Sequence, residues 1–188
     1  MNQAKTPNIE RYRRYLRVLA DMQMGPRIRT KEGVSDVVQA TMLRAHAAAS
    51  DFRGTTEAEL KAWLKAILSN TLVNLAKKYQ AKRRDLRLER SIDQNLQDSA
   101  MRIVGELSAG KTSPSAHLIR QERAEQLADA LTRLLDDEYQ AVTLKHIHGL
   151  TVAEIAEHLG RSPESVAGLL RRGLKKLRLS LQEIDSHG

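Results

Sequence analysis

The chain has 188 residues, of which 41% are hydrophobic and 29% charged, a composition typical of a water-soluble protein. It has no apolar run long enough to cross a bilayer and no secretion signal, so we expect a cytoplasmic protein without a membrane partner. The absence of cysteine excludes disulfides and thiolate metal sites, and the net charge of +8 indicates a polyanionic partner.

The N-terminal half is predicted to be helical. Apolar residues recur with helical spacing in three segments: 8–22, 37–49 and 60–79. Thr56 and Glu59 have the spacing of a capping box, which predicts that the third helix begins just after Thr56. Residues 51–55 are therefore expected to form a loop between the second and third helices.

Residues 93–117 have the composition of a flexible linker, because they are rich in Ser, Gly, Asp and Gln and show weak periodicity. Near the end of this segment, Ser113 and Pro114 suit the N-cap and the first position of a following helix. We therefore expect an N-terminal domain over 1–92 and a C-terminal domain over 118–188.

The C-terminal domain ends in a helix-turn-helix pattern. Thr151 and Glu154 form a second capping box, Gly160 suits a tight turn, and Ser162 with Pro163 begins a longer helix. That helix carries five basic residues: Arg171, Arg172, Lys175, Lys176 and Arg178. The predicted fold class is all-α, with two small helical domains joined by a flexible linker, the C-terminal one a helix-turn-helix.

Positive charge is concentrated in two places. Residues 77–90 hold seven Lys and Arg against two acids, and residues 161–178 hold six against one. Between them, residues 119–160 carry four basic and eight acidic residues. This distribution predicts a protein that contacts DNA at two separate positions.

Two motifs resemble the extracytoplasmic-function sigma factors of bacterial RNA polymerase. Segments 36–44, 51–54 and 62–70 are similar to region two of that family, and segment 151–178 is similar to its region four. The resemblance extends over about residues 8–180, with both motifs in the family's order. It implies transcription initiation at promoters, with core RNA polymerase and promoter DNA as partners, without catalytic residues, cofactors or metal.

The resemblance also assigns roles to individual residues. Core-polymerase binding falls on the second helix, at Asp36, Val37, Gln39, Met42, Leu43 and Arg44. Recognition of the minus-ten element falls on the following loop and helix, at Phe52, Arg53, Gly54, Thr55, Lys65, Asn70, Lys77, Lys78, Arg83 and Arg84. Recognition of the minus-thirty-five element falls on the helix-turn-helix, at Arg161, Ser162, Glu164, Ser165, Ala167, Arg171, Arg172, Lys175 and Lys176.

Aromatic residues near the loop allow two interpretations. Phe52 and Trp63 could stack against an unpaired base, or they could pack in the core, and the apolar stripe favours the core for Trp63.

Several positions depart from the family pattern. Ala40 and Asn74 stand where acids are common, and Ala167-Gly168-Leu169 replaces frequent polar residues of the recognition helix. The missing acid suggests the hypothesis that phosphorylation of nearby threonines, Thr41, Thr55 or Thr56, supplies negative charge. Two forms of control stay open at this point: phosphorylation by a Ser/Thr kinase and binding of an anti-sigma protein.

Two other functions stay open. The first is a helix-turn-helix regulator that acts without replacing sigma, which leaves the pattern over 36–70 unexplained. The second is a nucleotide hydrolase, because residues 105–112 match the phosphate-loop pattern, although no strand is predicted before them. A metal site formed by His146, His148, Glu154 and His158 is disfavoured because the predicted break at Gly149 separates them.

Overall fold

The computed structural model describes residues 8–79, 87–107 and 117–185. In the N-terminal part a 3₁₀ turn (Ile9–Tyr12) leads into α1 (Arg13–Gln23), α2 (Pro26–Arg29), α3 (Val34–Ala47), a second 3₁₀ turn (Ala49–Asp51) and α4 (Glu57–Tyr79). Then follow α5 (Arg87–Leu107), α6 (His117–Thr132), α7 (Asp136–His146), α8 (Val152–Leu159) and α9 (Pro163–Asp185). The described residues contain helices and turns but no strand, so the all-α prediction is confirmed. The chain divides into two compact units, 1–95 and 96–188.

The core of the first unit is formed by α1, α3 and α4. Three leucines spaced four residues apart on α4, Leu64, Leu68 and Leu72, are completely buried. Leu16 and Leu19 of α1 are equally inaccessible. Because residues four apart lie on one face of a helix, this row of leucines fixes which side of α4 remains in contact with solvent.

The prediction of a flexible linker over 93–117 is wrong for residues 93–107, which belong to helix α5. One face of this helix is buried, with Leu96 and Ile103, seven residues apart, at its centre. The intervening polar residues gave the segment its linker composition and hid this sparse apolar stripe. The predicted cap at Ser113 and Pro114 lies outside the described residues.

In the second unit, α7 and α9 approach each other closely at Gly173. A Cβ at this position would lie 2.9 Å from Val142 Cγ2, so only glycine allows the observed separation. Beside this contact, the carboxylate of Glu138 is 2% exposed and accepts a hydrogen bond of 2.8 Å from Lys176 Nζ. Arg172 Nε lies 3.8 Å from the same carboxylate.

The helix-turn-helix has the caps that the sequence predicts. Thr151 and Glu154 exchange hydrogen bonds across the N-terminus of α8, with the Thr151 N–H donating to Glu154 at 2.7 Å. Gly160 ends the helix in the left-handed conformation, at φ +62°. The Ser165 N–H donates to Ser162 Oγ, and Pro163 is the first residue of α9.

The close approach at Gly173 predicts that Gly173→Leu destabilises the second unit. Overpacking of this kind costs roughly 1–3 kcal/mol in the free energy of unfolding. The matched control is Gly168→Leu in the same helix, because a Cβ there meets only the mobile end of Arg172. Hydrogen exchange of the α7 and α9 amides measures both changes, and equal protection in the two variants would contradict the prediction.

The capping box predicts a pH dependence for helix α8. The hydrogen bonds from the Thr151 N–H and hydroxyl lower the pKa of Glu154 below its ordinary value of 4.5. The ionised carboxylate therefore stabilises the helix fully above pH 4.5, and this contribution is lost as the pH falls through the lower folded-state pKa.

Accordingly, Glu154→Gln should weaken hydrogen-exchange protection of α8 at neutral pH, and the difference from the unmodified chain should shrink on acidification. Glu157→Gln serves as the control, because Glu157 is an exposed acid of the same helix outside the capping box. A deficit in Glu154→Gln that is the same at every pH would rule out this assignment.

Candidate protein and nucleic-acid interfaces

Helix α3 presents an exposed face to solvent. Asp36, Gln39 and Leu43 are exposed, and their spacing of three and four residues places them on the same side of the helix. The Leu43 side chain on this face is 64% exposed.

Two residues assigned to polymerase binding are instead part of the core. Val37 and Met42 are buried, and only 2% of the Met42 surface is exposed. They lie on the side of α3 that packs against α4 and α1 rather than on the solvent side. The motif resemblance covered a continuous segment, whereas a helix exposes only one of its sides. Arg44 is exposed and donates to Thr71 Oγ1 at 3.0 Å, which links α3 to α4.

The loop between α3 and α4 is shaped by Phe52. Its ring lies 5.2 Å from the Trp63 ring, with the two planes tilted by 44°. Gly54 passes directly beneath the Phe52 ring, where any Cβ would overlap the aromatic carbons. Both aromatic residues are half-buried, so they pack against each other while part of their surface stays accessible to a ligand.

The end of this loop is held by Glu59. Its carboxylate accepts hydrogen bonds from the Thr55 N–H at 2.8 Å and the Thr56 N–H at 2.9 Å. These bonds hold the pKa of Glu59 below its usual value. The Glu59 N–H donates in return to Thr56 Oγ1, and this reciprocal pair of bonds confirms the predicted capping box. Thr55 and Thr56 are exposed, whereas Thr41 is fully buried and donates to the Val37 carbonyl, so Thr41 is not accessible for phosphorylation.

The solvent-facing side of α4 becomes cationic toward its C-terminal end. Asn70, Lys77 and Lys78 are exposed, and Lys65 is half-buried. Lys78 lies 3.5 Å from Glu32, a residue of the turn before α3. Arg53 is exposed in the loop, while Arg83 and Arg84 fall outside the described residues.

Helix α9 has cations on two sides with different surroundings. Arg172 and Lys176 contact the buried Glu138, and Arg161 at the preceding turn forms an ion pair with Asp137. Arg171 and Lys175 are exposed, and neither has an ion-pair partner among the residues that the structure describes. These last two cations are therefore the ones most accessible to phosphate.

The first turns of α9 supply few polar groups for reading bases. Ser162, Glu164 and Ala167 are exposed and Ser165 is half-buried, but Leu169 is buried in the core. Leu169 anchors this helix to the core of the domain. The exposed side of its N-terminal half can therefore enter a groove.

The two alternative chemistries fit the structure poorly. Residues 96–107 are helical, whereas a phosphate loop beginning at Gly105 requires a preceding strand. Within the described ranges, no group of three His, Asp or Glu side chains has the arrangement of a metal site.

Residues 9–83 match the family Sigma-70 region 2, and residues 124–177 match the family Sigma-70, region 4. The two matches occur in this order along one chain and coincide with the helices described above. The chain is a sigma factor of the extracytoplasmic-function type.

This sigma factor is similar to RNA polymerase sigma factor SigO of Bacillus subtilis (strain 168), with 34% identity over 56 residues. The similar segment covers 30% of the length of this chain and 32% of the length of the relative. None of the sigma factor's helices within the described residues is both long and apolar enough to cross a membrane.

Three residues that shape these interfaces were missed by the sequence analysis. Glu138, Gly173 and Glu32 act through contacts with residues 31 to 47 positions distant in the sequence. Only the position of Glu138 in the first turn of α7 gave a local signal, since acids are favoured there.

Proposed function

We propose that this sigma factor binds core RNA polymerase in the cytoplasm and directs it to promoter DNA, while the polymerase performs all catalysis. The observation that carries the proposal is the occurrence of both sigma regions in order, each with an exposed surface suited to its partner. Region two offers the exposed face of α3, which combines the apolar Leu43 with polar neighbours. Region four offers a cationic helix-turn-helix.

The α3 face supports docking to a protein. Leu43 provides an apolar anchor, and the neighbouring Asp36 and Gln39 provide a polar rim. Protein interfaces commonly combine a desolvated apolar centre with a hydrogen-bonding periphery. We therefore assign polymerase docking to Asp36, Gln39 and Leu43.

The loop and α4 support contact with the opened minus-ten element. The accessible parts of Phe52 and Trp63 offer a surface for stacking of an unpaired base. Asn70 can form hydrogen bonds with a base edge, and Lys77 can neutralise backbone phosphate. Because Gly54 lets the loop fold tightly under Phe52, this aromatic surface is formed before DNA arrives.

The helix-turn-helix supports contact with the minus-thirty-five element in duplex form. The N-terminus of α9 fits the major groove, and Arg171 and Lys175 lie further along the helix where they can reach phosphates. Ala167 has no hydrogen-bonding group, so its contact with bases is limited to apolar groups such as the thymine methyl.

Regulation by a kinase or an anti-sigma protein is a finer part of the proposal. Of the three threonines near Ala40, Thr55 and Thr56 are accessible, but the Thr56 hydroxyl belongs to the capping box with Glu59. A phosphoryl group on Thr56 would repel the Glu59 carboxylate, so it would loosen the start of α4 rather than replace an acid near Ala40. An anti-sigma protein that blocks docking would have to cover Leu43.

We predict that Leu43→Ala weakens binding to core polymerase by about tenfold, the effect of losing an interface anchor worth about 1.4 kcal/mol. Thermal stability should be unchanged, because the side chain is exposed in the free chain. Titration of core polymerase with the labelled sigma factor measures the dissociation constant.

Two controls accompany this measurement. Leu179→Ala removes another exposed leucine, 51% accessible, from the other unit and should leave polymerase affinity unaltered. Met42→Ala should lower stability by roughly 2–5 kcal/mol, because Met42 is a core residue. Unchanged polymerase affinity in Leu43→Ala, with both controls behaving as stated, would refute the assigned docking face.

We also predict that Lys175→Ala reduces the salt dependence of promoter binding. Loss of one phosphate contact should change the slope of log K against log salt by about 0.9. The measurement uses holoenzyme and a promoter fragment selected from a randomised library, and Arg133→Ala supplies a control cation elsewhere in the same unit. Equal slopes for all three proteins would remove Lys175 from the DNA interface, and tight duplex binding without polymerase would favour a conventional regulator.

A further inference from the structure

A single carboxylate lies against the cationic end of α4. The Tyr79 hydroxyl donates a short hydrogen bond to Glu32 Oε1, and Lys78 Nζ lies 3.5 Å from the same oxygen. The Lys78 ammonium is also 5.0 Å from the centre of the Tyr79 ring. The three side chains thus form one cluster, in which one acid accepts from two adjacent donors of the proposed DNA-binding helix.

The members of this cluster differ in exposure. The Glu32 side chain is 22% exposed, whereas the Lys78 side chain is 64% exposed. The acid is therefore held on the protein side of the cluster while the ammonium faces solvent. The hydrogen bond from Tyr79 lowers the pKa of Glu32, so the acid is ionised at neutral pH.

Carboxylate and phosphate oxygens accept hydrogen bonds from the same donors, an ammonium or a phenol. We propose that Glu32 is an intramolecular competitor of the DNA phosphate for Lys78 and Tyr79. A phosphate that reaches this end of α4 must displace the carboxylate to gain the Tyr79 hydroxyl, and it competes with the carboxylate for the charge of Lys78. The inference rests on the proposed function, because it requires α4 to face promoter DNA.

The neighbouring lysine provides an internal comparison. Lys77 is exposed and has no acidic partner among the residues that the structure describes. Its charge is available to any phosphate, whereas the charge of Lys78 is partly neutralised in the free protein. Lys77 therefore contributes to attraction of any DNA, and Lys78 contributes where a phosphate is positioned closely enough to replace Glu32.

The test is a set of substitutions in the full chain, assembled with core polymerase and titrated on a promoter fragment at several salt concentrations. Glu32→Gln keeps an acceptor for Tyr79 but removes the charge, so promoter affinity should rise by roughly threefold. The salt slope should steepen by about 0.7–0.9, which corresponds to one additional phosphate contact. Glu32→Ala should give a gain of the same sign, and Glu10→Gln, an exposed acid paired with Arg13 and His46, should give none.

The lysine variants separate the outcomes. In the unmodified chain, Lys78→Ala should weaken promoter binding less than Lys77→Ala does. In the Glu32→Gln background, the two lysine substitutions should weaken promoter binding equally. Weaker or unaltered promoter binding by Glu32→Gln, or a gain that persists in the double variant with Lys78→Ala, would overturn the competitor role. If neither lysine affects promoter binding in either background, the placement of α4 on DNA fails, and the inference fails with it.

Discussion

The second unit depends on the burial of Glu138 at the contact between α7 and α9. A carboxylate that is nearly inaccessible must be paired, and Lys176 and Arg172 are the cations that meet it. Gly173 permits the close helix contact that encloses the acid. Together these residues fix the rotation of α9 about its own axis, and that rotation leaves Arg171 and Lys175 facing solvent. The same constraint that holds the fold therefore selects the cations that can meet DNA.

An equivalent selection operates on α3, where adjacent residues have opposite roles. Met42 lies in the core and Leu43 projects into solvent, because successive residues of a helix point in directions about 100° apart. The leucines of α4 determine this orientation, since they occupy the interior against which α3 packs. The docking face proposed for three residues of α3 thus depends on the apolar core beneath it.

The sequence predicted the parts of the structure that are encoded locally. The capping boxes at Thr56 and Thr151 and the turn at Gly160 depend on residues within four positions of one another. The helical nature of 93–107 was missed because its apolar residues are too sparse to outweigh its polar composition. Glu32 and Glu138 could not be recognised because their partners are distant in sequence. The family resemblance assigned polymerase binding to a continuous segment of α3, and it could not separate the exposed Leu43 from the buried Met42.

Counting basic residues overstates the charge that this protein can offer to DNA. Arg161, Lys78 and Lys176 each lie against a carboxylate of the same unit, so part of their attraction for phosphate is already used within the fold. Lys77, Arg171 and Lys175 have no such partner among the described residues, so their charge is available to a phosphate. Since nonspecific affinity grows with each phosphate neutralised, internal pairing limits retention on arbitrary DNA. The paired cations can then add binding energy where promoter geometry brings a phosphate close enough to displace an acid. On this argument, net charge measures attraction to DNA less well than the number of cations without an internal acidic partner.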